Sequence, residues 1–122
     1  MPTRPEELRA RTKSFALRII RAFRTLQRTE EGRILGRQLI RSGTSVAANY
    51  RAACRARSRA EFAAKIGLVV EEADETVFWL ELLLDAEIVP ENSVDGLLTK
   101  ANELLAIFAA SQRTARKATM TQ

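Results

Sequence analysis

SRAEFAAKIGLVVEEADETVFWLELLL, residues 58–84, decides the fold. Ser58 is followed three residues later by Glu61 and then by Phe62. A serine hydroxyl can accept from the third N–H of a helix while the glutamate reaches back, so this pattern opens one. Beyond it, Phe62, Ile66, Val69, Val70, Ala73, Val77, Leu80 and Leu84 recur at helical spacing as one apolar stripe. Leu68, Phe78 and Leu82, with the neighbouring Trp79, form a second. The spacing predicts a helix over 59–86. A helix apolar on two faces needs two partners, and in a small chain one of them can be another molecule.

The flanks repeat the theme. Toward the N-terminus, Ile34, Leu35, Leu39, Val46 and Tyr50 predict a helix over 33–57. Within it, Ser42-Gly43-Thr44-Ser45 either bends the rod or lets a neighbour approach closely. Continuous helix is expected, because the apolar spacing carries through. Leu8, Phe15, Ile19, Ala22, Phe23 and Leu26 place a first helix over 6–27, opened by Pro5 and Glu6-Glu7. Thr29-Glu30-Glu31-Gly32 reads as the connection. Toward the C-terminus, 88–92 reads as a turn containing Pro90, with Asn92 or Ser93 capping a last helix to Arg116. Its core side is Val94, Leu97, Leu98, Ala101, Leu104, Leu105 and Phe108. The expectation is one all-α domain over 1–122, an antiparallel up-down-up-down four-helix bundle, frayed at about 1–5 and 117–122.

Composition agrees. Apolar residues make up 46% of the 122, too many for a disordered chain, and five glycines and three prolines are too few for a turn-rich β protein. No run approaches the ~20 apolar residues of a membrane span, and no secretory segment is evident. The lone Cys54 forms no internal disulfide and suits a reducing compartment, so a cytoplasmic location is expected.

Charge is unevenly spread. Residues 1–65 hold sixteen Lys/Arg against five Asp/Glu, and residues 66–122 hold four against ten. Basic and acidic helices can neutralise one another, within the chain or between subunits, or an arginine surface can be left to bind a polyanion. Arg33, Arg37 and Arg41 recur every four residues, Arg51, Arg55 and Arg59 resume the spacing, and Arg57 stands at the helix junction. A guanidinium fork suits phosphate. With Tyr50 the only ring nearby, the contact expected is with the RNA or DNA backbone rather than with stacked bases. A scaffold for proteins, with its arginines paired to acids, is the alternative.

Common catalytic chemistries are missing. Without histidine there is no Ser-His-Asp or Cys-His site and no Glu-x-x-His metal pair, and one cysteine makes no zinc cluster. No phosphate-binding glycine loop is present. Cys54 is either a redox thiol favoured by Arg51 and Arg55 or a small buried hydrophobe. Glu71, Glu72 and Glu75, with Asp74 beside them, spell E-E-x-x-E and resemble the first Mg²⁺ motif of the all-helical nucleoside-triphosphate pyrophosphohydrolases. That family needs a second motif, E-x-x-D, on the next helix, and Glu91 and Asp95 are four apart at the turn. The motif is half present, so no enzyme, metal or cofactor is expected.

Two segments carry a wider resemblance: QLIRSGTSVAANYRAACRARSRAEF, residues 38–62, and EEADETVFWLELLL, residues 71–84. Together they resemble the four-helix-bundle family of the 23S ribosomal RNA intervening-sequence proteins. The matching positions are Leu39, Arg41, Ser45, Val46, Asn49, Tyr50, Ser58, Glu61, Phe62, Glu75, Leu80 and Leu82. Ala47 stands where many members have proline, and Ala52-Ala53 where they have Glu-Gly, which resembles a subgroup. The resemblance implies a bacterial homo-oligomer, typically a pentameric ring, with no established activity. The chain is also similar to the accessory proteins of diversity-generating retroelements, whose pentamer has a basic surface and binds a reverse transcriptase and nucleic acid. Phe78, Trp79, Leu82, Asn49 and Tyr50 are the expected subunit contacts. Asn49 has a second reading, as a buried amide that bonds across helices and sets their register.

Overall fold

Ser58 behaves as its spacing predicts. Its backbone is extended and its hydroxyl accepts from the Glu61 N–H at 3.0 Å, while the Glu61 carboxylate accepts from the Arg57 N–H at 3.1 Å. The hydroxyl satisfies a donor that a helix start leaves without a partner, while the carboxylate reaches one residue beyond the cap. The helix that follows, α3, spans Arg59–Asp85. It closes where Glu87 turns left-handed at φ 57°: the Ile88 N–H reaches the Leu83 carbonyl at 3.1 Å and the Glu87 N–H reaches Leu84 at 3.0 Å. This is a Schellman turn, with glutamate where glycine is usual.

The other helices are α1, Pro5–Thr25, α2, Glu30–Cys54, and α4, Glu91–Met120. The computed structural model describes residues 4–89 and 91–120, with the side chains of all but 91–93 and 95, and among them helix is the only regular secondary structure. Pro90, the termini 1–3 and 121–122, and the Asn92 and Ser93 side chains expected to cap α4 lie outside the described residues. Because α4 already begins at Glu91, Asn92 and Ser93 stand inside it rather than before it.

Several helix ends differ from expectation for local reasons. Thr29 is the cap of α2 rather than part of a loop: its hydroxyl accepts from the Gly32 N–H at 3.0 Å, and Glu30 and Glu31 occupy the first turn, where negative charge is favoured. Gly32 is required there, since a Cβ would lie 2.5 Å from the Leu26 carbonyl oxygen. α1 accordingly stops at Thr25, and Leu26 turns inward to be buried. α2 stops at Cys54, where the Arg55 and Ala56 N–H groups reach back only three residues and tighten the chain into Ser58. α4 continues through 117–120, where a frayed tail was expected, with Ala115 buried and the Thr119 hydroxyl bonded back to the Ala115 and Arg116 carbonyls.

α3 packs against α2 on one side and α4 on the other, α2 packs against α1, and a smaller α1–α4 contact closes the antiparallel four-helix bundle. Ile19, Leu39, Ile66, Leu80, Leu83 and Phe108 are fully buried at its centre, each contributing about 1.5–3 kcal/mol by leaving water. Leu83 was not on the expected stripe; it displaces Leu84, which is only partly buried.

The small-residue stretch of α2 is continuous helix and serves close approach. A Cβ on Gly43 would lie 2.9 Å from Ile19 Cγ1, so α1 sits directly on the glycine. Next to it the hydroxyls of buried Ser42 and Thr76 lie 2.9 Å apart, joining α2 to α3. Each also reaches a carbonyl of its own helix, Leu39 for Ser42 and Glu72 for Thr76.

Candidate functional site

The arginines of the expected stripe divide into groups with different surroundings. Arg33 donates to the Gln27 carbonyl at 3.1 Å and closes the α1–α2 turn. Arg41 crosses to α3, where it pairs with Glu72 at 3.3 Å and with Glu75, and it also reaches Gln38 on its own helix. Glu75 in turn accepts from the Trp79 indole N–H at 3.1 Å. Two of the three carboxylates of the E-E-x-x-E motif are therefore held by one guanidinium. Among the described residues no group of three or more acidic, Cys or His side chains is placed to hold a metal ion; the Glu91 and Asp95 side chains lie outside them.

Arg37, Arg51 and Arg55 are exposed and have no ion-pair partner among the described residues. Arg51 and Arg55 wall a groove of about 770 Å³ between α1 and α2, opposite Arg9 and Lys13. Small residues line the rest of it: Ala10, Thr44, Ala47, Ala48 and Cys54. Arg9 and Lys13 were missed in the sequence, although both walls carry the same signal, two cations four residues apart. Arg57 and Arg59 lie apart, on the rim of a mostly apolar hollow of about 790 Å³ lined by Leu8, Phe62 and Ile107. The expected stripe is thus divided among separate surroundings.

Of the expected subunit contacts, Phe78 is 51% exposed and lies edge-on against half-buried Trp79, with ring centroids 5.0 Å apart. Leu68, on the same stripe, is 43% exposed and Leu82 is partly buried. Tyr50 instead belongs to the chain's own core, its ring tilted against Phe108 at 5.0 Å. Burial pushes its hydroxyl well above the ordinary range, and the neighbouring Cys54 thiol adds to the shift. Asn49 does not bond across helices. Its amide donates to the Ser45 carbonyl one turn back at 3.0 Å, and the inter-helix polar contact is Ser42–Thr76 instead.

The model of the 23S rRNA-intervening sequence protein family matches residues 6–110, which takes in the capped α2–α3 junction and most of all four helices. The chain belongs to that family. Its fold is similar to the crystal structure of a protein of unknown function from the S23 ribosomal protein family of Bacteroides thetaiotaomicron VPI-5482, with a TM-score of 0.82 and 29% identity. That match covers 89% of this chain and 97% of the other. No curated protein matches the chain. Neither family nor neighbour is described by an enzymatic activity, and no helix among the described residues is long and apolar enough to cross a membrane.

Proposed function

We propose that this member of the 23S rRNA-intervening sequence protein family is a non-enzymatic cytoplasmic accessory protein that holds the phosphate backbone of RNA or DNA. It works as a homo-oligomer, a pentameric ring in the reading taken from the resemblance. The observation that carries the proposal is the division of the arginines. Arg41 is consumed by Glu72 and Glu75, whereas Arg37, Arg51 and Arg55 stay exposed without an acidic partner among the described residues. Unpaired guanidinium groups suit phosphate and confer no base preference.

A second reading, a scaffold for proteins, draws on a different observation: Leu68 and Phe78 are exposed on α3 between acidic residues. Binding of short fluorescent RNA and DNA across a salt series separates the two. Affinity falling steeply with salt, and lost in Arg37→Glu/Arg51→Glu/Arg55→Glu while the assembly persists, supports the phosphate reading. No binding at low salt would leave the scaffold.

A further inference from the structure

The groove between α1 and α2 differs from the hollow between α1 and α4, where Arg11 and Lys100 share Glu103. The α1–α2 groove is concave, and cations enter it from two sides: Arg9 and Lys13 from α1, Arg51 from α2 and Arg55 from the residue that closes α2. No carboxylate lines it, and none of the four has an ion-pair partner among the described residues. Glu6 stands one turn before Arg9, outside the lining. Four like charges around one hollow repel one another, and an anion seated between them relieves that repulsion. The lining is otherwise small, so a ligand's charged chain can approach the helix backbones closely. It holds no aromatic ring on which a base could stack.

We propose that this groove seats a run of neighbouring phosphates, gripped by Arg9 and Lys13 on one wall and by Arg51 and Arg55 on the other. On the α1 wall the cations are separated by four residues, about 6 Å of helix rise, and on the other wall Arg55 follows Arg51 by the same number of residues at the end of α2. That is of the order of the separation between neighbouring phosphates on an extended strand. The volume of about 770 Å³ lies within the usual range for sites that enclose a small ligand or a short stretch of a longer one. A nucleic-acid strand and a free inorganic polyphosphate both supply this chemistry. The proposal rests on the phosphate-binding reading above and deepens it, moving the centre of binding from the α2 stripe to the α1–α2 junction and adding Arg9 and Lys13.

Cys54, the only thiol in the chain, lines the groove and makes its occupancy readable. The test follows maleimide labelling of Cys54 in the full chain alone, with a single-stranded oligonucleotide, and with inorganic tripolyphosphate. In parallel, strand affinity is measured across salt for the parent, Arg9→Gln/Lys13→Gln, Arg51→Gln/Arg55→Gln, and Arg37→Gln outside the groove. All five side chains are exposed except as groove walls, and circular dichroism checks that the variants keep the parent's helix content. The strand is expected to protect Cys54. Each groove pair should weaken strand binding about tenfold or more and lower the salt slope by about 1.4, two contacts at roughly 0.7 each, with Arg37→Gln losing less. Full labelling under saturating strand, or groove variants with the parent's affinity, overturns the groove, and if the strand still binds, the phosphate-binding function survives without it. Protection by tripolyphosphate with no strand binding keeps the groove as a polyphosphate seat and removes the nucleic-acid reading.

Discussion

Gly43 shows how little tolerance the core has at one point. With Ile19 Cγ1 only 2.9 Å from where a Cβ would stand, Gly43→Ala must push α1 away. Its helix-propensity gain is outweighed, and a net loss of about 1–3 kcal/mol is expected in urea unfolding. Gly67→Ala is the control, because only the end of the flexible Gln112 side chain lies near, and its effect should be neutral or stabilising. Tyr50 supplies a pH dependence. Its hydroxyl titrates above the ordinary 10.0 in the folded chain, chiefly because it is buried. The unfolded chain therefore loses this proton first. The stabilisation is fully present below pH 10.0 and is lost as pH rises from there toward the folded value. Tyr50→Phe should unfold with a shallower alkaline dependence than the parent, and equal slopes would show that the phenol is not responsible.

Between helices, charge is divided between cohesion and availability. Arg41 joins α2 to α3, and Arg11 joins α1 to α4 through Glu103 at 3.4 Å. These pairs are partly exposed, so each is worth at most about 1 kcal/mol. Arg41→Ala is expected to lower stability by up to about that amount, whereas Arg37→Ala on the same helix should stay within about 0.5 kcal/mol of the parent. Denaturant midpoints decide it. Equal midpoints would mean that the Arg41 bridge contributes nothing in solution, and Arg41 would then rejoin the residues available to an anion.

For the molecule as a whole, the exposed part of the α3 stripe and the basic α1–α2 groove lie on different sides, since α3 packs against α2 and α4 and not against α1. No α3 residue lines the groove, so assembly through α3 need not cover it. Phe78→Asp together with Leu68→Asp should therefore reduce the mass seen by light scattering to that of one chain while the helix content is kept. A parent that is already monomeric, or a variant that stays assembled, would remove α3 from the interface. Trp79 is less suitable for the test, because it is half-buried and its indole holds Glu75, so changing it disturbs the α2–α3 contact as well.

The order of helices, the Ser58 start and most of the apolar faces were legible in the sequence because each follows from the period of one helix and the chemistry of one turn. The Thr29 start was legible in principle too, but the acidic first turn read as a loop. Other features had no local signature. That Arg41 is paired while Arg51 and Arg55 are left facing Arg9 and Lys13 depends on how α2 is rotated against α3 and α1. The same holds for Tyr50, which lies in the core rather than at a subunit contact, and for Asn49, which bonds within its own turn. Spacing along a chain determined which residues share a face. Only the packing of the helices determined what each face meets, because side chains far apart in sequence are brought together by register and rotation, which no single helix encodes.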